Sequence, residues 1–429
     1  MLPLPADGPS PAGSRGHDGR GAANRRSRFV TLKRIRVYAT LIGATLWAVW
    51  LVDFSVPGVV DRLGKVKGTD FLQFYVGGAF VREGRLNALY DVQALYTRSQ
   101  ATIPGSSDTL YMPIQSPQTS LVFSPLAALP FAVAVTIWIA IILLLYAASC
   151  AITWRHCRAL HKYRYETIAC AIAFPGLYST VLNGQTSIVS LLAVATALLA
   201  LRTGWTFAAG LALGCLAFKP HWLLAAGALF FVAREWRVVA GAAIGAAGQV
   251  AITTLLVGPA VMNAYWRTLL AIQRIGDLLE PFPGDSLRSF FKVLVPWPAA
   301  AMAAYVVAAA AVVWVAARIW RSSAPFEIRG ASMVVAMLLI SPHALPYDLI
   351  LLSPVYFLLA TWAADDPSRP LPGAVLLALG ALFLAPLLGV LPVPLRLQFS
   401  ATAMMLLLVW LWLAARPGDP AGLRARLGW

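Results

Sequence analysis

The feature that most restricts this chain is a series of apolar runs that recur from near residue 37 almost to the C-terminus. A helix crossing a bilayer needs about 20 consecutive apolar residues. Runs near 37–56, 129–153, 166–182, 186–201, 206–218, 220–233, 238–257, 298–318, 330–342, 345–363, 372–390 and 398–415 predict about 12 transmembrane helices. Composition closes the alternative: 59% of residues are hydrophobic and 12% are charged, where soluble domains carry about a quarter charged residues. The expected fold class is an all-α polytopic membrane protein. Its transmembrane domain covers 29–415, between a cytoplasmic tail at 1–28 and a second at 416–429. The first tail is rich in Gly, Pro, Ser and Arg and reads as disordered, without the apolar stretch of a signal peptide.

A net charge of +16 would suit a nucleic-acid partner if it formed a patch on a soluble domain. Here the basic residues sit in short clusters between apolar runs. An even number of spans with cytoplasmic termini places about +14 of that charge inside and about +2 outside, as the positive-inside rule requires. The charge therefore records insertion into a cytoplasmic (inner) membrane, with lipid as the partner and no nucleic acid. Cys150, Cys157, Cys170 and Cys215 lie in or beside apolar stretches without metal-ligand spacing, and neither long polar loop contains cysteine.

Two external loops are long, at about 57–128 and 258–297. The first contains Asp70-Phe71-Leu72-Gln73-Phe74-Tyr75, whose Phe71, Phe74 and Tyr75 recur at helical spacing and predict an amphipathic, interfacial helix. Polar groups at the same membrane face are Asp70, Asn183 and Gln185, Lys219 with His221, His343, and Asp348. Charges at the membrane edge are costly and default to functional candidates. Asp70 serves there either as an N-cap or as a general base for an acceptor hydroxyl. Lys219, before the helix-interrupting Pro220, is either a snorkelling side chain or a phosphate contact. His343 lies in the broken stretch Ser341-Pro342-His343-Ala344-Leu345-Pro346-Tyr347-Asp348. It is either structural or a phosphate or sugar contact, which Asp348 would orient. No P-loop, Gly-x-Ser-x-Gly, His-Glu-x-x-His or dinucleotide fingerprint is present, and His is too sparse for a multi-His metal site.

The ordered pieces Thr69-Asp70-Phe71 with Tyr75, Gly84 through Tyr90-Asp91, Tyr111-x-Pro113 with Ser124-Pro125-Leu126, Asn183-Gly184-Gln185, Ala209-Gly210 through Phe218-Lys219-Pro220, and Ser341-Pro342-His343 with Tyr347-Asp348 span most of the chain. Together they resemble glycosyltransferase family 87, whose best-known members are polyprenyl-phosphate-mannose-dependent α-mannosyltransferases. The resemblance implies a GT-C fold, a polyprenyl-phosphate sugar donor, a lipid or glycan acceptor, and a catalytic carboxylate in the first external loop, the position of Asp70. It implies donor-side roles for Lys219, His343, His221, Gln185, Asn183 and Arg288, and a substrate cavity reached by Tyr75, Tyr111 and Asp348. No cofactor is implied, and metal dependence is left to Asp91 or Asp285 as possible contributors. Two departures stand out: Asp285 where the family often has Asn in an Asn-x-Ser-like stretch, and Ser187 where it often has Asn.

The expected function is transfer of a sugar, with mannose favoured, from a lipid phosphate to an acceptor hydroxyl at the external or periplasmic face. Inverting transfer needs one carboxylate, because the departing phosphate needs no protonation. Two rivals come from other classes. A transporter or flippase for a lipid-linked sugar would use helices broken near Pro220 and Pro346 for alternating access. A non-catalytic scaffold would leave Asp70, Lys219 and His343 apart.

Overall fold

The computed structural model describes residues 31–104, 111–275, 284–366, 371–388 and 399–416. The tails expected at 1–28 and 416–429 therefore lie outside the described residues, apart from Arg416. So do the ends of the runs expected at 372–390 and 398–415. Among the described residues the fold is helical, with one isolated antiparallel bridge between Val60 and Val66. Among the described residues five helical segments are long and apolar enough to cross a membrane: Leu32–Phe54, Phe131–Trp154, Trp236–Val257, Pro298–Trp320 and Pro346–Asp365. Ser187–Arg202, Thr206–Phe218, Pro220–Val232, Gly373–Leu387 and Phe399–Ala414 are shorter apolar helices.

The helix Phe326–Ile340 is the centre of the bundle. All its residues but Phe326 and Arg329 are buried, as expected of a helix apolar on every side. It enters through the Arg202–Glu327 ion pair at 2.7 Å and ends at Ser341. There Pro342 forces the preceding residue into an extended conformation, φ −61° and ψ 129°.

Proline makes most of the other breaks in the same way. The run expected as one span at 166–182 divides into Arg164–Ile172 and Pro175–Asn183, because Phe174 before Pro175 is extended. Lys219, before Pro220, separates the 3-10 turn Cys215–Phe218 from Pro220–Val232. The Gln249 side-chain amide donates to the Cys215 carbonyl at 3.4 Å, meeting a backbone group at the break.

Close helix contact is built on glycine. Gly210 and Gly214 of Thr206–Gly214 face Gly241 and Gly245 of Trp236–Val257. A Cβ on Gly210 would stand 2.2 Å from the Val238 carbonyl oxygen, and one on Gly241 2.2 Å from that of Phe207. Each pair is spaced four apart, the small-residue pattern that lets transmembrane backbones touch.

The helix expected after Asp70 is present as Phe71–Arg82. Its apolar face turns to protein and not to lipid: Phe71, Leu72, Phe74, Val76, Ala79 and Phe80 are all buried. Gly77 and Gly78 permit this, since a Cβ on either would come within 2.7 Å of Ser120 Oγ or the Phe123 carbonyl. The second long loop supplies Pro259–Ile275 and the short helix Leu287–Leu294.

Candidate active site

Two left-handed glycines bring the first long loop to the bundle. Gly68 has φ +62° and Gly184 φ +63°, and an added Cβ on Gly184 would meet Phe71 Cβ at 2.8 Å and Gly68 Cα at 3.4 Å. Only glycine accepts both the conformation and the approach. Trp138 Nε1 fixes the turn by donating to the Gly184 carbonyl at 2.8 Å, and the Asp70 amide donates to the Asn183 carbonyl at 3.0 Å.

Asp70 stands at the N-cap of Phe71–Arg82 but makes no side-chain capping bond. Its Oδ2 instead accepts from Gln185 Nε2 at 2.7 Å, while Gln185 Oε1 accepts the Thr186 amide at 3.1 Å. Burial raises the Asp70 pKa above the ordinary carboxylate value, against the lowering effects of the Gln185 bond and the Lys219 charge; the Asp348 charge raises it further. Tyr111 donates its hydroxyl to the Thr69 carbonyl. Burial, then the Asp70 carboxylate, push its pKa up and keep it a donor.

Beside Asp70 lies a three-residue network of two buried side chains, Ser187 and Asp348, and the partly buried Lys219. Ser187 opens the helix Ser187–Arg202 and donates to Asp348 Oδ1 at 2.5 Å. Lys219 Nζ donates to Ser187 Oγ at 2.9 Å and lies 3.3 Å from Asp348 Oδ1. Asp348 Oδ2 takes the Leu345 amide at 3.1 Å, which fixes the start of the 3-10 segment Pro346–Leu352. Thr180 Oγ1, 3.1 Å from the Tyr347 carbonyl, ties that segment to Pro175–Asn183.

The second loop arrives next to this network. The Asp285 amide donates to the Ala344 carbonyl at 2.7 Å, and Ser400 donates to Asp285 Oδ1. Burial drives the Asp285 pKa up to about 7, opposed by the Ser400 bond and assisted by the Asp348 charge. Arg288 Nη1 is 3.4 Å from His343 Nε2. Partial desolvation and then the Arg288 charge hold His343 below its ordinary pKa. His221 packs on Trp222 at 4.9 Å, and its Nε2 is buried without a hydrogen-bond partner.

The structure thus joins Asp70 to Gln185, and Lys219 to Asp348, within one cluster, with Tyr111 anchoring it and Arg288 and His343 on the adjoining loops. Two expected residues are engaged elsewhere. Tyr75 donates to the Leu129 carbonyl at 2.7 Å and packs on Phe131. Asn183 spends its amide on Ser179 of its own helix, at 2.8 Å, and meets Asp70 only through its backbone. Ser187 has a larger place than its sequence signal indicated: it touches both ends of the Lys219–Asp348 ion pair. Among the described residues no group of three or more His, Cys, Asp or Glu is placed to hold a metal ion.

The sequence profile of glycosyltransferase family 87 matches residues 114–342. That span contains Gln185, Ser187, Lys219 and Arg288, and Asp70 and Asp348 flank it. A relative in Mycolicibacterium smegmatis (strain ATCC 700084 / mc(2)155) is named polyprenol-phosphate-mannose-dependent alpha-(1-2)-phosphatidylinositol pentamannoside mannosyltransferase. It is 30% identical over 325 residues, 74% of this chain and 75% of its own. No solved structure matches. The profile covers over half of the chain and the relative about three quarters, so the chain belongs to glycosyltransferase family 87, as a membrane glycosyltransferase.

Proposed function

We propose that the protein moves mannose from a polyprenyl-phosphate donor to a hydroxyl of a lipid or glycan acceptor, at the external face of the cytoplasmic membrane, with Asp70 as general base. The observation that carries this reading is the state of Asp70. Its carboxylate is withdrawn from helix capping, held by the Gln185 amide at 2.7 Å, and set beside the Lys219–Asp348 pair. A base needs a pKa above that of an exposed carboxylate to accept a hydroxyl proton usefully, and burial moves Asp70 that way.

In the proposed step the acceptor oxygen attacks the anomeric carbon as its proton passes to Asp70. The bond from that carbon to the phosphate oxygen breaks, and its electron pair leaves with polyprenyl phosphate. One displacement inverts the anomeric centre, so a β-linked donor gives an α-linked product. Lys219 meets the charge that develops on the phosphate, with Arg288, His343 and His221 on the donor side. Tyr111 and Asp348 shape the cavity. The relative's name supports polyprenol-phosphate-mannose as donor and a phosphatidylinositol-derived glycolipid as acceptor.

The test is purified protein supplied with polyprenyl-phosphate mannose, polyprenyl-phosphate glucose or GDP-mannose, and a short α-mannoside acceptor. The expected outcome is consumption of polyprenyl-phosphate mannose with an α-linked product. Consumption of GDP-mannose instead would refute the donor assignment.

A further inference from the structure

We infer that Ser187 is a positioning residue that holds the Lys219 ammonium off Asp348, so that its positive charge stays available to the donor phosphate. The inference rests on the proposed function and adds a residue to it.

The geometry is asymmetric. A charge-assisted lysine–carboxylate contact normally settles near about 2.8 Å. Here Lys219 Nζ is 3.3 Å from Asp348 Oδ1 but 2.9 Å from Ser187 Oγ. The Ser187 hydroxyl has one hydrogen, and the ionised carboxylate can only accept. That hydrogen goes to Asp348 at 2.5 Å, leaving an oxygen lone pair toward Lys219. The hydroxyl thus bonds both charges, and the direct contact of the ammonium with Asp348 Oδ1 is the longer of its two.

The surroundings fix it there. Ser187 is fully buried, Asp348 is 3% exposed, and Ser187 begins a helix whose start is set by the Gly184 turn. Asp348 has other donors, Ser187 Oγ and the Leu345 amide, so it does not need the full contact of the ammonium. Lys219 has three N–H groups. One goes to Ser187 and one toward Asp348, leaving a third above the Tyr347 ring, whose centroid is 5.7 Å away. Without the hydroxyl, Asp348 loses a donor and Lys219 its nearest acceptor. The ammonium then closes on the carboxylate, and the two charges cancel more fully. Asn offers both a donor and an acceptor and can take the same place.

Full-length protein in detergent carrying Ser187→Ala, Ser187→Thr or Ser187→Asn tests this, with undecaprenyl phosphate as the binding probe and polyprenyl-phosphate mannose as the donor. Ser187→Ala is expected to weaken undecaprenyl phosphate binding and raise the donor KM about tenfold, the scale of a hydrogen bond to a charged group. Its kcat changes less. The acid limb of kcat/KM moves to higher pH, because Lys219 outweighs Asp348 at Asp70 and the net lowering effect of the pair shrinks as the two charges cancel, while Gln185, Tyr111 and Tyr347 face it as before. Ser187→Thr and Ser187→Asn restore all three readouts. Wild-type affinity and an unmoved acid limb in Ser187→Ala overturn the role of Ser187, as does failure of both rescue variants. If the wild type binds no undecaprenyl phosphate, the donor reading itself is overturned.

Discussion

Asp70 occupies a position where a carboxylate ordinarily stabilises a helix by accepting amide hydrogen bonds, yet its side chain faces Gln185. Because burial raises its folded-state pKa, the folded protein holds the Asp70 proton more tightly than the unfolded chain. Its contribution to stability is full below the ordinary carboxylate pKa and is lost as pH rises through the raised value. Replacement by Asn removes that loss and keeps an oxygen for Gln185. Thermal scans of Asp70→Asn should therefore show a midpoint at neutral pH no lower than wild type, with any gain shrinking as pH falls toward 3.8, the ordinary value. A clear drop at neutral pH would mean that Asp70 is structural. In sequence, Asp70, Gln185, Lys219 and Asp348 were readable as candidates, because polar groups at a membrane edge stand out. That the Asp70 side chain does not cap the helix was not readable, since its partner Gln185 lies 115 positions away. Ser187 was legible only as a departure from a family pattern, because its partner Asp348 lies 161 residues on.

Elements position this site chiefly through their interruptions. Phe174-Pro175, Lys219-Pro220, Ser341-Pro342 and Leu345-Pro346 each stop or restart a helix at or near the site, and Pro cannot donate the amide that a continuous helix needs. The long runs were legible because hydropathy alone specifies them. The division of 166–182 was hidden by its unbroken apolarity, although Pro175 was the local signal. The burial of Phe71–Arg82 was hidden for a different reason: an aromatic face suits lipid or protein equally, and the choice rests on Gly77 and Gly78. Pairing of Gly210 and Gly214 with Gly241 and Gly245 likewise needed the fold. Gly241→Ala places a methyl against backbone that cannot rotate away, and it should cost about 1–3 kcal/mol. Gly227→Ala and Gly248→Ala have open space at the added carbon and should cost nothing measurable. Thermal unfolding in detergent, or resistance to proteolysis, compares the three, and equal stability would contradict the packing described.

The whole molecule has two chemically distinct ends. Ser187–Arg202 and Phe326–Ile340 each run between them. At one end Arg202 pairs with Glu327, and at the other Ser187 and Ser341 meet the polar cluster. Arg36–Glu166 at 2.5 Å and the Trp320–Glu235 contact at 3.1 Å are further fixed charges away from the site. The long loops that carry Asp70 and Arg288 arrive at the same end as Ser187 and Ser341. The most direct measurement of this account uses proteoliposomes containing polyprenyl-phosphate mannose and an α-mannoside acceptor, with wild type and Asp70→Asn compared at equal protein content. Wild type should release polyprenyl phosphate as α-linked product forms. Asp70→Asn should be slower by about a hundredfold to ten-thousandfold, the span expected for loss of a general base. Turnover by Asp70→Asn at the wild-type rate would contradict the account, as would movement of intact donor across the bilayer by wild type without any glycosidic bond being made.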